Sequence, residues 1–174
     1  MWRSISLGAL LLAVPVQAAD CTLTNARYKQ PDAPWWLTFK RVPRFSAPNQ
    51  VAAFYLELAN SGVEMQGAVH VPNGFGSPLW SIEGPCSPPE FAEEGTPAEL
   101  CEFLDDTQYP AIYGEYDGKV RFLDTGVDTG VDAAVPEQII LPNLAASLWY
   151  SNYRQTEWLD GIDVGDAFTL EGCD

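Results

Sequence analysis

Histidine chemistry, if this chain performs any, must run through His70, because the sequence holds one histidine in 174 residues. A Ser–His or Cys–His nucleophile would need it, yet no Gly-x-Ser-x-Gly elbow exists to hold a serine. His70 falls in an alternating stretch, Val63–Val71. There Val63, Met65, Gly67, Val69 and Val71 share one face of a strand, and Glu64, Gln66, Ala68 and His70 share the other. Met65 and His70 are an odd interval apart and so point to opposite sides, which is wrong for two ligands of one copper ion. The expectation is a histidine on the polar face.

The four cysteines, Cys21, Cys86, Cys101 and Cys173, offer different chemistry. Zinc ligation and dithiol redox cycling both lack the spacing they require, since there is no Cys-x-x-Cys pair. An even count in an exported chain predicts two disulfides. Three pairings are open. The favoured one is Cys86–Cys101, closing a local loop, with Cys21–Cys173 joining chain ends that tend to lie close in compact domains. In the chain-entropy model the short loop contributes ~3 kcal/mol and the long one about 5 kcal/mol.

Carboxylates are plentiful, 24 in all, so some pair suited to acid–base hydrolysis exists wherever the chain folds; only geometry can make it meaningful. The tandem Thr-Gly-Val-Asp of residues 125–132 sets Asp124, Asp128 and Asp132 four apart. Their oxygens suit a hard cation, making these three candidate Ca²⁺ ligands against the plainer reading of a solvated acidic loop. An EF-hand spaces its acids two apart, and Gly and Thr disfavour the helix that would align a period of four. Aromatic residues are also in surplus, with five Trp and seven Tyr beyond residue 18. Trp35, Trp36 and Trp80 are candidates for a face that takes a protein or carbohydrate ligand, with core packing the default use. Trp35 and Trp36 are adjacent, so in an extended segment at most one is buried.

These side chains sit in a chain with 9 basic and 24 acidic residues and a net charge of −15. Nothing in that balance displaces counterions from a nucleic acid or binds an anionic membrane surface. The charge is unevenly placed. Residues 19–50 hold Arg27, Lys29, Lys40, Arg41 and Arg44 against Asp20 and Asp32, while residues 51–174 hold only Lys119, Arg121 and Arg154 against every other acid. Folding of the basic segment against the acidic remainder is the expected relief of self-repulsion. Residues 1–18, with Arg3, an apolar run to Val14, Pro15, and Val16 and Ala18 at the −3 and −1 positions, read as an export signal. The run is too short to span ~30 Å of hydrocarbon. Asp20 before Cys21 argues against lipidation. The expectation is a single periplasmic or extracellular domain over residues 19–174, with no membrane anchor.

Fourteen Gly and fourteen Pro leave no room for long helices. Strands are expected at 53–60, 63–71, 79–82, 111–116, 119–123, 138–141 and 167–170, with 21–24 strand-like and 35–39 rich in aromatic residues. Ser61-Gly62 and Asp117-Gly118 are the hairpin turns, the second carrying the stronger signal. Thr96-Pro97-Ala98-Glu99 has a capping-box pattern, which predicts a short helix to about Asp105 with Leu100, Phe103 and Leu104 buried. A second helix is expected from Leu144 to Arg154, capped by Asn143.

Residues 51–62, VAAFYLELANSG, resemble a strand-and-turn phrase of periplasmic copper-chaperone domains of β-sandwich type. The likeness covers twelve residues. It implies a sandwich, whereas the His and Met ligands of those domains have no counterpart downstream. The architecture expected is mainly β, an antiparallel sandwich or partly open barrel of about seven strands with two short helices. No compact catalytic constellation is visible. The expected function is therefore an exported, non-catalytic binding or envelope-associated module. An Asp/Glu-dependent hydrolase and an inhibitor presenting the Cys86–Cys101 loop are the alternatives.

Overall fold

Alternating side chains carry through most of the chain, and they produce strands. The computed structural model describes residues 21–42, 48–59, 61–72, 76–91, 95, 97–104, 109–126, 133–155 and 164–173. The expected export signal lies outside them. Among these residues the strands are β1 (Ala26–Lys29), β2 (Trp35–Lys40), β3 (Gln50–Leu58), β4 (Val63–His70), β5 (Leu79–Pro85), β6 (Leu100–Glu102), β7 (Tyr113–Tyr116), β8 (Lys119–Phe122), β9 (Gln138–Ile140) and β10 (Ala167–Cys173), with one α-helix, α1 (Leu144–Trp149).

All ten strands belong to one antiparallel sheet in the order β6-β5-β4-β3-β2-β1-β10-β9-β7-β8. The sheet curls into a half-barrel. Near its two ends the start of β5 meets the residues before β7, through a bridge between Leu79 and Ala111. There Trp80 N–H donates to Pro110 O and Ile112 N–H to Pro78 O, each at 3.0 Å. Of the two architectures expected, the partly open barrel is the one formed, with ten strands among the described residues where about seven were expected.

The concave side is filled with side chains. Tyr28, Trp35, Leu37, Phe39, Phe54, Leu56, Met65, Val69, Trp80 and Ile82 are buried there. Their positions follow the period of two, as β2 and β4 show with their buried–exposed alternation. Gly67 sits beneath the Phe54 ring, and a Cβ there would lie 2.1 Å from it. The hairpin β3–β4 pairs Leu58 with Val63 and Ala53 with Ala68. In the β7–β8 turn Asp117 and Gly118 both take positive φ, 52° and 71°, the twist a two-residue hairpin needs. Gln30, fully buried, organises the β1–β2 turn. Its Oε1 accepts from the backbone of Asp32 and of Ala33, and its Nε2 donates to Gly165 O at 3.0 Å.

Three local expectations are corrected. The helix predicted from Pro97 to Asp105 is instead the edge strand β6; its proposed cap, Thr96, lies outside the described residues. Cys86 N–H donates to Glu99 O at 2.8 Å and Phe103 N–H to Ile82 O at 3.1 Å, so this segment satisfies its backbone on the β5 edge. A helix of two turns has a costly nucleus and offers fewer bonds. Leu100, expected on a buried side, is 65% exposed, while Leu104 is buried. Residues 22–24 do not form a strand either. A 3₁₀ turn covers Leu23–Asn25, where Asn25 Oδ1 accepts from Thr22 N–H at 2.8 Å, a local bond that competes with a sheet ladder. The second helix is shorter than predicted, six residues followed by a 3₁₀ turn at Asn152–Gln155. Asn143 adopts φ 73° and its side chain does not cap. Asp166 does so from across the chain, accepting from Asn143 N–H at 2.9 Å and Ala145 N–H at 3.1 Å.

Candidate functional site

The outer side of the sheet is built from the positions that the core does not use. Across β3, β4 and β5 the register sets Ala53 opposite Ala68 and Ala68 opposite Ser81. Three small side chains in a row leave a trough. The next row is tall and polar: Tyr55 faces Gln66, Gln66 faces Glu83, and Glu83 faces Glu102 on β6. Gln50 contributes from the far end of β3. Together these residues line a hollow of about 320 Å³. That is at the lower end of the range for small-molecule sites.

Electrostatics shape this hollow. Glu83 and Glu102 stand opposite each other, an arrangement that like charges disfavour. Tyr109 OH donates to Glu102 Oε1 at 2.6 Å and holds that carboxylate at the rim. His70 pairs with Gln50 on one side and Leu79 on the other. Partial burial lowers its pKa below the ordinary value, and the Glu102 carboxylate pulls the other way. It is half-buried on the polar side of β4, as the alternation implied. Amides, a hydroxyl, a phenol and two carboxylates can accept and donate around a ligand rich in hydroxyl groups. The two carboxylates repel an anion.

The three tryptophans do not share a surface. Trp35 and Trp80 are fully buried in the core, and the Trp80 indole N–H finds no acceptor among the described residues. Trp36 faces outward with Arg27 at 4.0 Å and Lys29 at 5.4 Å from its ring, a cation–π clasp. The basic N-terminal strands thus lie in the middle of the sheet, with Trp36 opposite Glu57 of the acidic portion. Asp124 caps a turn, its Oδ1 accepting from Gly126 N–H at 3.0 Å, and its own N–H donates to the Tyr116 hydroxyl at 2.9 Å. Asp128 and Asp132 lie outside the described residues. No group of three His, Cys, Asp or Glu side chains fit to hold a metal is found among the described residues.

The cysteines pair as Cys21–Cys173 and Cys86–Cys101, with Cα atoms 5.5 Å and 4.8 Å apart. The second bridge therefore joins the residue just after β5 to β6, not a strand to a helix. Beside it lies another hollow, about 540 Å³, between Phe103 and the end of α1. Asn152 spans it, its Nδ2 donating to Cys86 O at 3.2 Å and Ser87 Oγ at 3.0 Å. Tyr153 OH donates to Pro85 O at 2.9 Å, and burial pushes its pKa up to about 12. In the loop this disulfide closes, Phe91 is half exposed, and residues 92–94 and 96 lie outside the described set.

Sequence reasoning did not single out Tyr55, Gln66, Ser81, Glu83 or Glu102. A two-residue turn at Ser61-Gly62, as the sequence suggested, would have set Ala53 opposite His70; the observed register places Leu58 opposite Val63, with four residues between the strands, and so Ala53 opposite Ala68. Nothing in the sequence places Ser81 and Glu102 beside them. Among the described residues no helix is long and apolar enough to cross a membrane. No protein-family model matches the chain, nor does any curated protein or solved structure.

Proposed function

We propose that the protein is an exported, non-catalytic binding module whose outer hollow takes a neutral, hydroxyl-rich ligand of the carbohydrate class. One observation carries this reading: the row Ala53–Ala68–Ser81 opens a trough directly beneath a wall of hydrogen-bonding side chains. Sugar hydroxyls both donate and accept, so they match the amide of Gln66 and the acceptors of Glu83 and Glu102. Tyr55 supplies an apolar ring for the carbon face of a sugar. Two disulfides support an oxidising compartment, in keeping with the export signal read at residues 1–18.

Calorimetric titration of the mature chain against a panel of neutral oligosaccharides tests it. Saturable binding is expected, weakened about tenfold or more by Tyr55→Ala and blocked by Ala68→Trp, which fills the trough. Binding that survives Ala68→Trp, or no binding across the panel, overturns the reading. The facing carboxylates of Glu83 and Glu102 favour a hydrolase as the second reading. Release of reducing ends that Glu83→Gln and Glu102→Gln each abolish would establish it in place of the first.

A further inference from the structure

Among the described residues the sheet ends in β8, four residues that are exposed throughout and that pair there with β7 on one side only. In a two-residue hairpin the residues flanking the turn form a hydrogen-bonded pair, and the pattern alternates from there. Tyr116 and Lys119 are that pair, as are Gly114 and Arg121 two steps on. Val120 and Phe122 therefore direct their backbone N–H and C=O groups away from the sheet. Their side chains are 60% and 48% exposed, and Phe122 stacks on Tyr113 with ring centroids 5.2 Å apart. On the other face stand Lys119 and Arg121, two of the three basic residues beyond residue 50. Arg121 lies 4.1 Å over the Tyr116 ring.

We propose that the outer edge of β8 docks an extended segment of a partner protein, a strand that alternates acidic and apolar residues. Backbone bonds to Val120 and Phe122 would add it to the sheet, the mode known as β-augmentation. Its carboxylates would face Lys119 and Arg121, and its apolar side chains Val120 and Phe122. Charge decides between this occupant and a second copy of the chain. Antiparallel pairing of two β8 edges about a twofold axis sets Lys119 against Arg121 when Val120 meets Val120, and Arg121 against itself when Val120 meets Phe122. Either register opposes like charges. An acidic strand meets opposite charges at the same positions. At physiological salt the screening length is about 8 Å, so acids on distant strands barely oppose its approach, and the nearer Glu115, opposite Val120, stands on the face away from Lys119 and Arg121.

The probe is a fluorescently labelled peptide of alternating Glu and Val, titrated into the mature protein at physiological salt, with a Lys–Val peptide as control. Saturable binding of the Glu–Val peptide alone is expected, with amide-exchange protection appearing at Val120 and Phe122. Val120→Pro removes an outward N–H without touching the β7 ladder, and it should abolish binding while leaving the melting midpoint near that of the parent. If Val120→Pro misfolds, the surface variant Lys119→Glu/Arg121→Glu serves, expected to weaken Glu–Val binding by about tenfold and to admit the Lys–Val peptide. Equal binding of both peptides, no binding, insensitivity to the charge reversal, or concentration-dependent self-pairing of the unmodified protein each overturns the proposal.

Discussion

A Cβ built on Gly67 would come within 2.1 Å of Cε2 and Cζ of Phe54, so this position has no room for any other residue while the ring stays where it is. Both atoms belong to a buried aromatic anchored among Phe39 and Trp80, at centroid distances of 5.6 Å and 6.4 Å. The neighbours cannot give way cheaply. Gly67→Ala is expected to cost about 1–3 kcal/mol through overpacking, read as a lowered urea midpoint. Adding Phe54→Leu should recover part of that loss, because the two changes act on one contact. A second prediction concerns His70. Burial holds its folded pKa below the unfolded value of 6.5, so the unfolded chain binds more protons in the interval between them. Stability therefore declines as pH falls through about 6.5 toward the folded pKa, and it is fully present above that. With one histidine in the chain, His70→Gln should flatten the urea midpoint over that interval. Parallel profiles for the two proteins would show that the imidazole is not responsible.

Elements here are terminated and redirected by contacts made across the chain. The helix α1 has six residues, too few to stand on propensity alone. Its first turn is held by Asp166, whose two carboxylate oxygens take two backbone N–H groups and place a negative charge at the helix N-terminus. Asp166→Ala is expected to lower stability by about 1 kcal/mol and to speed amide exchange at Ala145. Asn143→Ala, at a side chain that makes no capping bond, removes no such bond; its residual effect comes from the positive φ. The segment 100–102 makes the complementary point. Helix-start residues, Thr96-Pro97-Ala98-Glu99, precede it, yet the β5 edge and the Cys86 bridge offer a ladder and a crosslink together. Tertiary pairing overrides a weak local preference.

At the scale of the molecule, an unclosed sheet of ten strands is secured by two covalent links. Cys21–Cys173 spans 152 residues and fastens the start of the described chain to the end of β10, while Cys86–Cys101 spans 15 and fastens β6 to β5. Loop-closure entropy grows slowly with length, so replacing both cysteines of the long loop with Ser should cost about 5 kcal/mol and of the short loop ~3 kcal/mol. Denaturation of the two double variants measures the order. The purified, unreduced protein should show no titratable thiol, in line with the absence of free cysteine among the described residues. Between these links the core side chains interdigitate on the concave side and leave the outer side free. That division is what permits a trough on the sheet without a hole in the core.

The alternation of Val63–Val71, the Asp117-Gly118 turn and the even number of cysteines were enough to specify strands, hairpins and crosslinks, because each depends on neighbours in sequence or on a pairing with few alternatives. Trp35 and Trp36 were bound to diverge for the same reason. Which of the two faced inward, and the burial of Trp80, depended on which side of the sheet became the core. The trough required four strands in register, and β4–β5 and β5–β6 are joined by long loops that fix no register by themselves. The curl of the sheet, the conversion of residues 100–102 to an edge strand and the capping of α1 by Asp166 were decided by the tertiary structure. Each rests on bonds between residues far apart in the chain, whose closure entropy is recovered only when the rest of the sheet has formed.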